Sequence, residues 1–210
     1  MGILSIILIL LALLIFPALV ITFEGKMGSG KSLSATAFAV LDWYSTGRQI
    51  VANYSINLNR INDDGFVKEV KDGDFEYFDY EKFVGDMKNN VELYNKTVVL
   101  DEAYLFMDSR RSQSGFNNLM TYFTLQTRKR GVDLYICTQQ FTNVDLRLRQ
   151  NADIRATCRF DKASQVCRVR MVNMRDGTRR VVKIYGPEYY KFFDTNEIPP
   201  LRSGHLNVKI

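Results

Sequence analysis

Leu19-Val20-Ile21-Thr22-Phe23 followed by Gly25-Lys26-Met27-Gly28-Ser29-Gly30-Lys31-Ser32 is the stretch whose reading decides the fold. The first five residues are apolar or β-branched and read as a buried strand, and the rest satisfies G-x-x-x-x-G-K-S. Glycines at these positions let successive backbone N–H groups curl around an anionic phosphate, and a helix starting near Lys31 adds the positive end of its dipole. The expected nucleotide-binding set is therefore Gly25, Lys26, Met27, Gly28, Ser29, Gly30, Lys31, Ser32 and Leu33. Lys31 is expected to reach the β- and γ-phosphates of ATP, and the Ser32 hydroxyl to hold Mg2+. The bland alternative is a Gly/Ser turn with a chance lysine. It leaves unexplained why a strand precedes the turn and a helix-forming run, Leu33 to Trp43, follows it.

A phosphate loop of this kind needs a carboxylate on a neighbouring strand. Thr97-Val98-Val99-Leu100-Asp101-Glu102 supplies one, with four strand-forming residues ending in two acids. Asp101 is expected to hold Mg2+ through water, and Glu102 to polarise the water that attacks the γ-phosphate. Leu134 to Thr138 reads as a further buried strand delivering Gln139 to the same sheet edge, where it can sense the γ-phosphate or hold the hydrolytic water.

Gly47 to Asn53 reads as a turn feeding a second strand, which makes a βαβ start. Asn57 to Asp79 is rich in Asn, Asp and Gly, with a strand-like piece at Phe75 to Phe78 and a helix expected over Tyr80 to Asn89. Phe116 to Arg130 is helical by composition, with Leu119, Tyr122, Phe123 and Gln126 at helical spacing, and Gly131 ends it. Three strands, Ile154 to Phe160, Gln165 to Asn173 and Thr178 to Gly186, close the chain, the last two joined by an Arg175-Asp176-Gly177 hairpin turn. On the middle one, Cys167, Val169 and Met171 share one face, and Arg168 and Arg170 the other.

The 210 residues suit one globular domain with a small addition. Cys137, Cys158 and Cys167 lack C-x-x-C spacing and are far from the lone His205, so they read as buried reduced thiols rather than a metal site or disulfide framework. The net charge of +5 is unevenly spread: Arg147 to Lys183 holds eleven Lys or Arg against three Asp. That excess suits a polyanion, single- or double-stranded DNA or anionic lipid, and a plain solvated basic face is the alternative.

Ile3 to Phe23 carries no charge, but the strand before the phosphate loop takes five or six of its residues and Pro17 marks a break. Residues 1–16 then make about 24 Å of helix against about 30 Å of hydrocarbon, which anchors more readily than it spans. A cleaved signal peptide fits poorly, because no basic segment precedes the apolar run. The expected organisation is an N-terminal apolar helix (1–17) anchored through residues 3–16, an ATPase domain (18–198) on the cytoplasmic side of a host or internal virion membrane, and an extended tail (199–210). An apolar helix packed on the sheet or on a neighbouring subunit is the other reading.

The phosphate loop, Val98 to Glu102, Arg128-Lys129-Arg130-Gly131-Val132-Asp133, Thr138-Gln139-Gln140 and Asp145-Leu146-Arg147-Leu148-Arg149 together resemble the FtsK–HerA superfamily of ring-forming DNA-pumping ATPases. Within it they are most similar to Zot-like proteins and to viral packaging and assembly ATPases. The resemblance implies an α/β fold, a RecA-like P-loop NTPase αβα sandwich with a mainly parallel sheet, here with a C-terminal β-hairpin. It also implies a homo-oligomeric ring, hexameric or pentameric, with an arginine completing the neighbour's site. Arg128 matches that position, with Arg130 and Arg149 as runners-up; the alternative is that Arg128 to Arg130 solvate a helix end. Zot-like filamentous-phage proteins carry their membrane segment after the ATPase domain, whereas here the apolar segment comes first. The expectation is therefore a motor packaging viral DNA into a membrane-containing capsid, working with other virion or assembly proteins. Zot-like membrane-coupled extrusion, or a nucleotide-gated membrane scaffold with slow hydrolysis, are the alternatives.

Overall fold

The computed structural model describes residues 19–64, 68–88, 93–103, 107, 115–194 and 197. In chain order these form β1 (Val20–Glu24), α1 (Lys31–Thr46), β2 (Gln49–Ala52), a 3-10 stretch (Leu58–Asp64), β3 (Phe75–Tyr77), α2 (Tyr80–Lys88), β4 (Lys96–Leu100), α3 (Gly115–Arg130), β5 (Asp133–Thr138), α4 (Leu146–Gln150), β6 (Ile154–Asp161), β7 (Val166–Asn173) and β8 (Arg179–Tyr185). The strands join one sheet in the order β3-β2-β4-β5-β1-β6-β7-β8. Every pairing from β3 to β6 is parallel, and β6, β7 and β8 pair antiparallel. The central strands β1 and β5 are buried along their whole length, as parallel strands covered on both faces must be.

Two apolar layers flank the sheet. On one face α1 packs through Phe38, Val40 and Trp43 against Ile21, Phe23, Val99 and Tyr135, and the layer continues under β6 and β7 through Ala156, Cys158, Cys167 and Val169. Phe23, Phe38 and Tyr135 meet edge to face, with centroids 5.4, 6.0 and 6.2 Å apart. Each such buried ring contributes about 2–3 kcal/mol by leaving water. Through Phe23 this cluster packs the strand that leads into the phosphate loop against α1 and β5. On the other face Phe83 of α2 and Met120 and Phe123 of α3 cover Val98, Leu100, Leu134 and Ile136.

The αβα sandwich with a mainly parallel sheet is the expected one, and the elements fall within a few residues of their predicted bounds. The C-terminal hairpin is larger than expected: β6, β7 and β8 form a three-stranded antiparallel extension of the same sheet. The buried stripe of α3 also differs from the predicted one. Met120, Phe123, Thr124 and Thr127 face the sheet, whereas Tyr122 and Leu125 are 51% and 61% exposed. Here the polar Thr124 and Thr127 turn inward by returning their hydroxyls to the backbone carbonyls of Met120 and Thr124. All three cysteines are buried and free. The expected apolar helix at residues 1–17, with its anchor at 3–16, and the tail at 199–210 lie outside the described residues; among the described residues no helix is long and apolar enough to cross a membrane.

Candidate nucleotide site

The turn from β1 into α1 is built to leave donors free. Gly30 stands at the N-cap of α1 with φ 85°, no side chain caps the helix, and no acid occupies its first turn. The first-turn N–H groups that a capping residue would otherwise occupy are thus left for a ligand. Gly28 and Gly30 lie in the left-handed region, and a Cβ on Gly30 would come 2.8 Å from Cys167 Sγ, so the loop sits directly on β7. Lys31 is almost fully buried, its Nζ donating to the Lys26 carbonyl at 3.3 Å. Ser29 Oγ is buried without a partner. The Met27 side chain, at the loop tip, is 83% exposed. Leu33 packs into the core, so of the predicted binding set it can contribute only through its backbone.

Because β4 lies two strands from β1, with only β5 between, its acidic end faces the loop. Ser32 Oγ donates to Asp101 Oδ2 at 2.5 Å, and Asp101 Oδ1 accepts from the Glu102 N–H at 2.8 Å. A serine hydroxyl and a carboxylate in direct contact are hard oxygen donors of the kind Mg2+ takes beside phosphate oxygens. Lys31, the uncapped helix and this pair fit Mg-ATP. Glu102 has φ 47°, unusual for a non-glycine residue, and its Oε2 is buried without a partner. Burial, and then the Asp101 charge, push the Glu102 carboxyl above its ordinary range, while Lys31 and a hydrogen bond from Gln139 oppose the shift. The structure thus brings Lys31, Ser32, Asp101, Glu102 and Gln139 together at one sheet edge.

A raised carboxyl has a consequence for pH. Glu102 can accept a proton only when ionised, so the acid limb of kcat/KM for ATP hydrolysis is expected to fall above the pH of an unperturbed glutamate. Gln139→Ala should move that limb further up, because it removes a donor that favours the ionised form. A pH–rate profile of both proteins checks this.

The predicted arginines fall elsewhere. Arg128 lies in the last turn of α3, at the opposite end of β5 from Gln139, and is exposed, its Nη2 lying 3.4 Å from Asp153, which Arg175 also meets at 2.5 Å. It therefore cannot reach the site of its own chain. Arg130 is buried, bonded through Nε to Gln126 and stacked 5.0 Å over Tyr94, which removes it as a residue offered to a neighbour. Arg149 donates to the Val144 carbonyl and lies over Phe141.

Two site residues escape sequence reading. Asn53, one residue past β2 and buried, accepts from the Asp101 N–H at 2.7 Å and donates to the Asp101 carbonyl at 2.9 Å. Glu24, ending β1, takes Arg155 in a two-pronged bond at 2.8 and 3.0 Å, the Thr157 hydroxyl at 2.9 Å and the Phe141 N–H at 3.3 Å. It thereby ties the loop strand to the segment after Gln139. The available signal was a polar residue at the end of an otherwise apolar strand.

The family model for the zonular occludens toxin (Zot) matches residues 19–185. No curated protein sequence matches the chain. The fold is similar to the N-terminal domain of zonular occludens toxin from Neisseria meningitidis, with TM-score 0.55 and 13% identity over 85% of this chain and all of that one. It is also similar to the genome packaging NTPase B204 from Sulfolobus turreted icosahedral virus 2 in complex with ATP-gammaS, with TM-score 0.54 and 11% identity over 79% of this chain and 96% of that one. A DnaB-like replicative helicase matches with TM-score 0.50 and 14% identity over 81% of this chain and 58% of that one. At these identities the likeness establishes the RecA-like P-loop NTPase fold.

Proposed function

The chain belongs to the zonular occludens toxin (Zot) family, and from that premise we propose that it is a Mg-ATP-hydrolysing motor of virus assembly acting on DNA at a membrane. The observation that carries the reading is the convergence of Lys31, Ser32, Asp101, Glu102 and Gln139 on one sheet edge, on a fold shared with a packaging NTPase. Lys31 and the loop amides hold the phosphates, and Ser32 and Asp101 hold Mg2+. The metal, when bound, neutralises charge on the phosphate oxygens. Glu102 takes a proton from the attacking water, and Gln139 keeps its carboxylate in place. Arg128, exposed at the far end of α3, completes the site of the next subunit in a homo-oligomeric ring, which makes hydrolysis depend on assembly.

DNA is assigned to the face of β6–β8 on which Arg159, Arg168, Arg170 and Lys183 stand exposed. Arg159, Arg168 and Lys183 stand directly opposite one another across three strands, with Arg170 beside them. Like charges in cross-strand pairs destabilise a sheet, so such a row needs a reason other than folding. Arg48, Arg128, Arg147, Arg155 and Arg175 each have a carboxylate within 4 Å, whereas among the described residues Arg159, Arg168, Arg170 and Lys183 have none. A phosphate backbone supplies the missing counter-charge without sequence readout. Fluorescence anisotropy with labelled duplex should show binding that weakens steeply with salt, and Arg168→Glu with Arg170→Glu should lower affinity by about tenfold or more. Equal affinity for the variant would contradict the assignment.

Residues 3–16 are assigned as the membrane anchor, which places the ATPase domain on the cytoplasmic side beside other assembly proteins. Packaging of viral DNA into a membrane-containing capsid is the form of this work proposed first, and membrane-coupled virion assembly or extrusion, which the Zot-like resemblance implies, is the alternative.

A further inference from the structure

We propose that Asn53 is the positioning residue for the metal-binding carboxylate, and that Glu197, latched onto Ser55, sets Asn53 and so makes Mg-nucleotide binding respond to whether that latch is closed. This rests on the reading of the site as a Mg-nucleotide site.

The argument begins at the end of β2. Its ladder with β4 runs to Ala52 and Val99, and the Asn53 N–H adds one more bond to the Val99 carbonyl at 3.3 Å. Beyond that point the Asn53 side chain replaces the ladder, pairing with both the N–H and the carbonyl of Asp101. The peptide that carries the metal carboxylate and leads into the φ 47° conformation of Glu102 is therefore held by one amide group. Removing it would leave the Asp101 peptide unpaired just where the chain is strained.

Asn53 is itself held by its surroundings. Its carbonyl accepts from the Tyr77 hydroxyl at 2.8 Å. Two residues past Asn53, Ser55 gives both its N–H and its hydroxyl to the Glu197 carboxylate, at 2.9 and 3.1 Å. Residues 190–194 are seated on the same stretch by apolar contact: Phe192 and Phe193 are buried, Phe193 meets the Tyr54 ring at 6.1 Å, and the Phe192 carbonyl accepts from the Asn57 N–H at 2.7 Å. One carboxylate thus holds Ser55, two residues past the residue that orients Asp101, although it lies 96 positions further along the chain than Asp101. Glu197 is partly exposed, and its bonds to Ser55 are exposed, so the latch can open without unfolding the core.

The test uses the full chain and two variants, Asn53→Ala and Glu197→Ala, with two readouts. Hydrogen–deuterium exchange over residues 97–103 is followed without nucleotide, and the affinity for a fluorescent ATP analogue is measured with Mg2+ and with the metal chelated. Asn53→Ala is expected to speed exchange and to lower Mg-nucleotide affinity by about tenfold with metal-free affinity unchanged, as for other residues that orient a metal ligand. Glu197→Ala should shift both readouts the same way by a smaller factor. A Glu197→Ala protein indistinguishable from the parent in exchange and in Mg-nucleotide affinity would overturn the latch. Equal loss of metal-free and Mg-nucleotide binding in Asn53→Ala would overturn the positioning role. If the unaltered chain gained no affinity from Mg2+, the nucleotide reading would fail instead, and exchange over 97–103 in Glu197→Ala would decide the latch alone.

Discussion

Replacing Glu102 with glutamine is expected to slow ATP hydrolysis by about a thousandfold while leaving Mg-ATP binding near that of the parent, as loss of a general base does. The groups proposed to bind are separate from it: Lys31 and the loop amides for phosphate, and Ser32 and Asp101, which bond to each other, for the metal. Glu102 spends its contacts differently. Its N–H goes to Asp101 Oδ1 and its carboxylate meets Gln139, while Oε2 is buried and unpaired, available for a water that a nucleotide brings. Glutamine keeps the size and can still hydrogen-bond to Gln139, but it cannot accept a proton. Phosphate release and fluorescent-nucleotide titration on the same protein separate the two effects. A parallel loss of binding would instead make Glu102 a metal-site residue.

Arg48→Met is expected to destabilise the fold by about 3–5 kcal/mol, because it strands two buried carboxylates. Arg48 Nη2 lies 2.6 Å from Asp42 Oδ1 and 2.7 Å from Asp133 Oδ2. Both acids are nearly inaccessible, and both also bind the frame of the sheet: Asp42 accepts from the Thr97 hydroxyl, and Asp133 from the Leu19 N–H at 2.6 Å. Burial raises the Asp133 carboxyl to about 6, even against the opposing Arg48 charge. A folded-state value above the unfolded one means that protonation favours the native state. This contribution is full below the unfolded value near 3.8 and is lost as pH rises through about 6. Without Arg48 the carboxyl rises further, so the deficit in the variant should be larger at about pH 8 than at about pH 5. Urea unfolding at the two pH values measures it, and a deficit independent of pH would show that lost packing, not stranded charge, is the cause.

The parts of the site that are contiguous in sequence were readable before the fold. The phosphate loop, the strand ending in Asp101 and Glu102, and the strand ending in Gln139 each carry their meaning within a few residues, and parallel strands bring their C-terminal ends together. The site residues that escaped reading depend on partners more than twenty positions away. Asn53 acquires its role only because β2 lies beside β4, and Glu24 only because β6 lies beside β1. Arg128 and Arg130 are indistinguishable in sequence, yet α3 points one outward and buries the other beside Tyr94. The inward stripe of α3 was obscured because threonines that bond their own helix can replace apolar residues there.

Steady-state phosphate release by the unaltered chain, with and without duplex DNA and beside Glu102→Gln, tests the central claim most directly. A Mg2+-dependent rate that duplex raises, that salt lowers toward the DNA-free value and that Glu102→Gln abolishes is the predicted result. A rate that survives in Glu102→Gln, or no Mg2+-dependent hydrolysis at any DNA concentration, would contradict it.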